Sequence, residues 1–130
     1  MAPTEAVAFI LTNGGEFLAE RRRPDKEAYP GMLAVPGGRM EPGERMEDTL
    51  IREMREELSV LPLEYGYLCS LEDPTVYGGL TIHYYRVKRW EGKIAAGEAE
   101  ELIWIDLEEN HRIEVEIDQE AVIRMIRSED

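Results

Sequence analysis

The sequence predicts an α/β fold of the α+β kind, in which a mixed β-sheet is sandwiched between helices. Two observations support this prediction. In the middle of the chain Met46, Leu50, Met54 and Leu58 recur every four residues, which is the apolar stripe of a helix, and segments typical of strands lie on both sides of it. A second amphipathic segment, residues 119–127, predicts another helix near the end of the chain.

The other segments predict strands and the turns between them. Strands are expected over residues 7–11, 16–20, 32–35, 62–71, 80–90 and 102–105, and a helical turn over residues 107–111. A turn at Asn13-Gly14-Gly15 joins the first two strands, and polar loops are expected over residues 24–31 and 97–101. Because the chain has no repeats and no linkers, its 130 residues predict one domain.

Composition restricts the classes of partner. The chain is 43% hydrophobic and 33% charged, as soluble globular proteins are. It has no apolar run of membrane-spanning length, no signal peptide and the single cysteine Cys69, which together predict a cytoplasmic protein with no membrane partner. A net charge of −13 argues against long nucleic acid as a partner, since phosphate contacts need patches of Lys and Arg. The sequence leaves a homodimer open.

The central helix carries a cluster of carboxylates beside its apolar stripe. Residues three and four apart share a helix face, so Glu53 lies beside both Glu56 and Glu57, and Arg52 lies beside Glu56. Carboxylates this close repel one another, and a divalent cation removes the repulsion. Oxygen ligands suit Mg²⁺ or Mn²⁺ better than Zn²⁺. The alternative is that Arg52 and Glu56 form a plain surface ion pair worth about 0–1 kcal/mol.

The loop before this helix favours the metal interpretation. Pro36-Gly37-Gly38 and Pro42-Gly43 flank a turn that brings Glu44 towards the helix. Glycine permits close approach of the backbone, while proline restricts φ. A merely solvated helix would not need such a loop.

The segment 38–60 resembles the Nudix box, G-x5-E-x7-R-E-U-x-E-E-x-G-U, where U is a bulky aliphatic residue. The matching residues are Gly38, Glu44, Arg52, Glu53, Met54, Glu56, Glu57 and Val60. Ser59 stands where the pattern has glycine, at a helix end where a left-handed residue is usual. The resemblance implies a single Nudix domain over residues 1–130, with the α/β/α sandwich of that family.

The resemblance also implies an activity and its residues. Nudix hydrolases cleave phosphoric anhydride bonds with Mg²⁺, for which Mn²⁺ can substitute. It implies Glu56 and Glu57 as the main metal ligands, and Glu53 as a ligand or the catalytic base. Arg52 is expected to orient Glu56 or Glu44, while Gly37 and Gly38 provide a metal-ligating carbonyl or keep the loop close. The base remains open between Glu53, Glu56 and a more distant glutamate.

A narrower resemblance concerns MutT-like nucleoside triphosphate pyrophosphatases. The sequence V-K-R-W-E-G at 87–92, followed by Glu98 and Trp104, is similar to the equivalent stretch of that group. It implies that Glu98 assists metal binding or acts on the water, with Glu100 and Glu101 as neighbours that could substitute. In that group an amide residue before the last helix reads the base edge, and here the position falls near Gln119.

Three consecutive arginines and one tyrosine are further candidate substrate contacts. Strand alternation places Arg21 and Arg23 on one side and Arg22 on the other, so at least one of these arginines reaches towards a polyphosphate. The alternative is that they form a solvated strand end. Tyr77 follows the box at about the distance where dinucleoside polyphosphate hydrolases of the superfamily have a tyrosine, although it could instead pack on the sheet edge.

The predicted function is cleavage of a small-molecule nucleotide, foremost a (d)NTP or modified dNTP, to the monophosphate and pyrophosphate. Dinucleoside polyphosphates, ADP-ribose and sugar nucleotides are the alternative substrates, and a non-catalytic nucleotide sensor is the alternative class. Sensors tend to lose the box carboxylates, whereas this box has all of them. Substrate specificity depends on loops outside the box.

Overall fold

The computed structural model describes residues 4–128. Its elements in chain order are β1 (Thr4–Asn13), β2 (Glu16–Arg21), β3 (Leu33–Ala34), β4 (Gly37–Arg39), α1 (Met46–Leu58), β5 (Leu61–Asp73), β6 (Leu80–Glu91), β7 (Glu101–Asp106), a 3-10 helix (Leu107–Arg112) and α2 (Glu116–Arg127). Two of the differences from the sequence-based expectation concern the surroundings of the site. The glycine loop before α1 contains a short strand, β4, and α2 begins three residues earlier than expected. Both differences affect the site.

The strand β1 is the centre of a mixed sheet. It pairs in parallel with β6, antiparallel with β4 over residues 6–8, and antiparallel with β2 at Thr12 and Asn13. The strands β3 and β7 pair with β2, and β5 pairs with β6. Since β1 pairs with β4 at one end and with β2 at the other, the sheet divides between these two partners.

Helices cover both faces of the sheet, which confirms the predicted sandwich. Alternation along β1 sends its odd-numbered residues towards α1 and its even-numbered ones towards α2. The first group of buried residues includes Val7, Phe9 and Leu11 with Leu50, Met54 and Leu58 of α1. The second includes Ala8 and Ile10 with Ala121, Val122 and Met125 of α2. Within residues 4–128, no helix is both long and apolar enough to cross a membrane.

The helix α1 is anchored at both ends. At its start the Asp48 carboxylate accepts a hydrogen bond from the Arg45 backbone N–H, at 3.0 Å. At its end Ser59 has φ 63° and ψ 29°, and its N–H donates to the Arg55 carbonyl. Ser59 therefore adopts the left-handed conformation that the usual glycine of this position takes up more easily. The departure from the box pattern leaves the helix exit intact.

Candidate active site

A cavity of about 420 Å³ opens where the sheet divides. One group of lining residues is acidic and comprises Glu53, Glu57, Glu98, Asp118, Asp25 and Glu27. The other groups are the backbone of Gly37 and Gly38, the cations Arg22, Lys26 and Arg39, and side chains such as Tyr29, Val76, Tyr77, Leu80 and Ile82. Ligand pockets of this size combine apolar walls with a few polar groups, and this one is unusually rich in carboxylates.

The two glycines of β4 allow the acidic helix to approach the sheet. A side chain at Gly38 would overlap the Glu53 carboxylate, and one at Gly37 would overlap the Val7 carbonyl. Gly38 lies opposite Val7 in the pairing of β4 with β1. Gly38 is thus required by the close approach of Glu53, and Gly37 by the close approach of β1, which explains the glycines singled out in the sequence.

Burial and nearby negative charges raise the pKa values of Glu53 and Glu57 on α1. Glu53 is 6% exposed, and burial, followed by the charges of Glu57 and Glu56, raises its pKa to about 7. Burial and the charge of Glu98 likewise raise the pKa of Glu57. The site therefore favours a cation, because positive charge would stabilise the ionised form of both groups.

Arg52 connects the loop to the helix. Its Nε and Nη2 donate to the two oxygens of Glu44 at 2.7 and 2.8 Å, and its Nη1 lies 3.2 Å from both Glu53 Oε1 and Glu56 Oε2. Nη2 also donates to the Arg39 carbonyl at 2.9 Å. Hydrogen bonds from Arg52, the Glu41 backbone and Thr49 lower the pKa of Glu44 to about 2. Arg52 is occupied by protein groups, and neither it nor Glu44 lines the cavity.

Glu98 reaches the cavity from the loop before β7. The N–H of Gly97 donates to the Glu57 carbonyl at 2.9 Å, which fixes this loop against the end of α1. The Glu98 carboxylate accepts a hydrogen bond from Lys26 Nζ at 2.8 Å, and that contact lowers its pKa. Its neighbours Glu100 and Glu101 do not line the cavity.

Of the three consecutive arginines, Arg22 lines the cavity. Arg21 instead donates to Glu114 at 2.8 Å and to the Gly31 carbonyl at 3.3 Å, while Arg23 lies 3.5 Å from Asp25. The strand β2 ends at Arg21, so the alternation assumed in the sequence does not continue to Arg23. Contact of Arg21 or Arg23 with substrate stays a prediction that this arrangement does not favour.

The last helix presents Asp118, rather than Gln119, to the cavity. Because α2 begins at Glu116, Gln119 lies within its first turns, and its Nε2 is 3.5 Å from the Asn110 carbonyl. Asp118 is 3% exposed and accepts hydrogen bonds from the Val35 N–H and the Tyr84 hydroxyl. Burial raises its pKa to about 6.

The sequence-based prediction did not include Asp118, although the sequence contains a pattern that indicates a buried carboxylate at this position. It shares the buried face of α2 with Ala121, Val122 and Met125, at the spacing of one helix face. A carboxylate on an apolar face is buried, and a buried carboxylate needs partners or a function. The predicted contact Tyr77 does line the cavity and is 94% exposed.

The fold and this site define a nucleotide-hydrolase architecture of the Nudix type, and the family model for the NUDIX domain matches residues 2–126. The chain therefore belongs to the Nudix family, and it is a hydrolase of phosphoanhydride bonds.

Among its relatives is the 8-oxo-dGTP diphosphatase of Escherichia coli K12, 30% identical over 102 residues, which are 78% of each chain. The CTP pyrophosphohydrolase of the same organism is 30% identical over 109 residues, covering 84% of this chain and 80% of that protein. The solution structure of the E. coli ORF135 protein superposes with a TM-score of 0.82 at 27% identity, covering 99% and 94% of the two chains.

Nudix hydrolases generally use divalent metals, and the donors in the cavity fit such an ion. Glu53, Glu57 and Glu98 offer only oxygen ligands, and Gly38 lies against Glu53. Among the described residues no three His, Cys, Asp or Glu side chains already surround one point as ligands would. Glu56 is held by Arg52, and Glu98 by Lys26, so these two carboxylates would exchange protein partners for the ion.

Proposed function

We propose that this chain is a Mg²⁺-dependent pyrophosphohydrolase that converts a (d)NTP or modified dNTP to the nucleoside monophosphate and pyrophosphate. The observation that carries the proposal is the single cavity that brings Glu53, Glu57 and Glu98 together with Arg22 and Asp118. A nucleoside triphosphate needs both a charge-neutralising region for its phosphates and a polar partner for its base. The relatives named for 8-oxo-dGTP and CTP act on nucleotides of this class.

In this proposal the acids of α1 and Glu98 form the phosphate end. Glu53, Glu56 and Glu57, together with the Gly38 carbonyl, would hold the Mg²⁺, which would supply positive charge to offset the negative charge that hinders attack of water on the diphosphate bridge. The proton of that water passes to Glu53, Glu56 or Glu98. Arg22 contributes the cationic contact to the phosphates.

Asp118 is proposed to contact the base, the role that the sequence assigned to Gln119. Each of its oxygens already accepts one hydrogen bond, from Val35 or from Tyr84, and each keeps a second lone pair. An ionised Asp118 therefore accepts a hydrogen bond from an exocyclic amino group. Cytosine, adenine and guanine bases carry such a group, whereas uracil and thymine do not.

The test is a product-release screen with Mg²⁺ over nucleoside triphosphates, oxidised dGTP, dinucleoside polyphosphates, ADP-ribose and sugar nucleotides. We expect pyrophosphate, rather than phosphate, from a triphosphate with an amino-bearing base. The Asp118→Asn variant keeps a side chain that can bond to both Val35 and Tyr84, and we expect it to reduce the preference for CTP over UTP. Faster cleavage of any other substrate class would contradict the proposal.

Dinucleoside polyphosphates are the second candidate. Tyr77 lies at the cavity and is 94% exposed, so its ring is free to stack on a second base. The same screen decides between the two. Cleavage of dinucleoside polyphosphates faster than of triphosphates, reduced by Tyr77→Ala, would favour this candidate.

A further inference from the structure

Glu20 is a buried carboxylate whose neighbours in the sheet are apolar. It is 4% exposed, and it lies two residues after the core residue Leu18 on the same face of β2. Its neighbours in the sheet are Ala34 on β3 and Leu102 on β7. Desolvation of a carboxylate costs free energy unless it is well paired, so an apolar residue here would serve the core better.

The ion pair of Glu20 is made with the arginine that lines the cavity. Arg22 Nη1 lies 3.4 Å from Glu20 Oε2, and Arg22 Nε donates to the Ala28 carbonyl at 2.8 Å. The Arg22 side chain is 17% exposed. Glu20 itself does not line the cavity. Glu20 thus contacts Arg22 without itself lining the cavity.

The other charges around Glu20 make its presence more costly. Glu57 and Asp118 are the acids whose charges act on it, against the cations Arg22 and Lys26. A long contact of 3.4 Å adds little stability in return.

We propose that Glu20 is a positioning residue for polyphosphate binding, which acts by holding the Arg22 guanidinium towards the cavity. The inference rests on the proposed function. A guanidinium has five N–H donors; the Ala28 carbonyl takes one and Glu20 takes a second, which leaves three for phosphate oxygens. Two fixed partners also reduce the conformational entropy that the long side chain loses when the substrate binds.

Steady-state kinetics of Glu20→Gln with the preferred triphosphate provide the test. We expect KM to rise roughly 5–20-fold, because a neutral amide holds the Arg22 guanidinium less strongly than a carboxylate does, with kcat changed much less. In an Arg22→Gln background the further change Glu20→Gln should leave KM unaltered, because the arginine on which it acts is gone. Thermal melting in EDTA should be unchanged or higher for Glu20→Gln, whereas a purely structural role would lower it. Glu20→Met, of similar volume and without charge, repeats the test if the amide variant folds poorly.

Glu114→Gln is the matched control. Glu114 pairs with Arg21 as Glu20 pairs with Arg22, but neither Glu114 nor Arg21 lines the cavity. Its KM should equal that of the parent enzyme. An equal rise in KM for the two variants would overturn the inference.

The remaining outcomes separate this inference from the proposed function. If the parent enzyme cleaves no triphosphate, both fail. If the parent cleaves triphosphates but Glu20→Gln leaves KM unchanged, or raises it equally in the Arg22→Gln background, the inference alone fails. It also fails if Glu20→Gln changes the Mg²⁺ concentration for half-maximal rate while KM for the nucleotide stays constant, because Glu20 would then belong with the metal-binding acids.

Discussion

Arg52 and Glu44 form a two-point ion pair, with Nε and Nη2 of the arginine at 2.7 and 2.8 Å from the two carboxylate oxygens. The pair ties the loop that follows β4 to the middle of α1. The same guanidinium reaches Glu53 and Glu56, so the position of both acids depends on it. A lysine keeps the charge but has only one nitrogen to place.

Arg52→Lys should therefore reduce activity strongly. We expect kcat/KM to fall at least about tenfold, because a single ammonium cannot contact Glu44, Glu53 and Glu56 at once. Steady-state kinetics at saturating Mg²⁺ measure the effect. Arg55→Lys, one turn along α1 and outside the cavity lining, is the control. If kcat/KM of Arg52→Lys equals that of the parent, the two-point contact between the guanidinium and Glu44 is not needed for activity.

Hydrolysis should depend on Mg²⁺ or Mn²⁺ and stop with EDTA. The reason is that Glu53 and Glu57 are oxygen ligands with raised pKa values, and a divalent cation would stabilise their ionised forms. Rates are measured over a Mg²⁺ titration, followed by chelation and re-addition. Activity that persists in chelator would remove the metal from the proposed site.

Glu98→Gln should lower kcat about 10²-fold or more if Glu98 is the base or a ligand. Glu98 lines the cavity and its carboxylate is held by Lys26, whereas Glu101 lies at the start of β7 and does not line it. Glu101→Gln is therefore the control, with a rate close to that of the parent. If Glu98→Gln keeps the parent rate and Glu101→Gln is inactive, the catalytic role belongs to Glu101 and not to Glu98.

The metal-free protein should lose stability as the pH rises from about 4.5 to about 7. Glu53 has an ordinary pKa of 4.5, which burial raises to about 7 in the folded state. Within this window the folded protein holds a proton that the unfolded chain releases, so the free energy of unfolding falls with increasing pH. Glu53→Gln should remove part of this dependence, on the order of 1–3 kcal/mol at pH 8.

Thermal melts in EDTA at several pH values measure this difference. Glu16→Gln, which removes one negative charge from an exposed position, controls for net charge. The prediction is wrong if Glu53→Gln and Glu16→Gln show the same pH dependence as the parent. Glu53→Gln is also expected to lack activity. A variant that is more stable at high pH but inactive would show that Glu53 is needed for the site and not for the stability of the metal-free protein.

The sequence predicted the parts of this site that depend on local spacing. Helical periodicity places Glu53, Glu56 and Glu57 together, and the glycine pattern explains how Glu53 approaches β4. The sequence-based prediction failed where the direction of a side chain depends on the residue at which a strand or helix begins or ends. A strand that ends at Arg21 brings Arg22 to the cavity, and a helix that begins at Glu116 brings in Asp118. Neither boundary has a strong local signal.

The parallel pairing of β1 with β6 has a consequence for the order in which the chain folds during synthesis. Thr4 lies opposite Leu80, 76 positions further along the chain, and both residues line the cavity. The helix α1 consists of local contacts and can form early, but closing so long a loop is slow. A growing chain that has not yet reached β6 has the complete box and lacks a wall of the cavity. The complete cavity therefore forms late, only after β6 has been synthesised and has paired with β1.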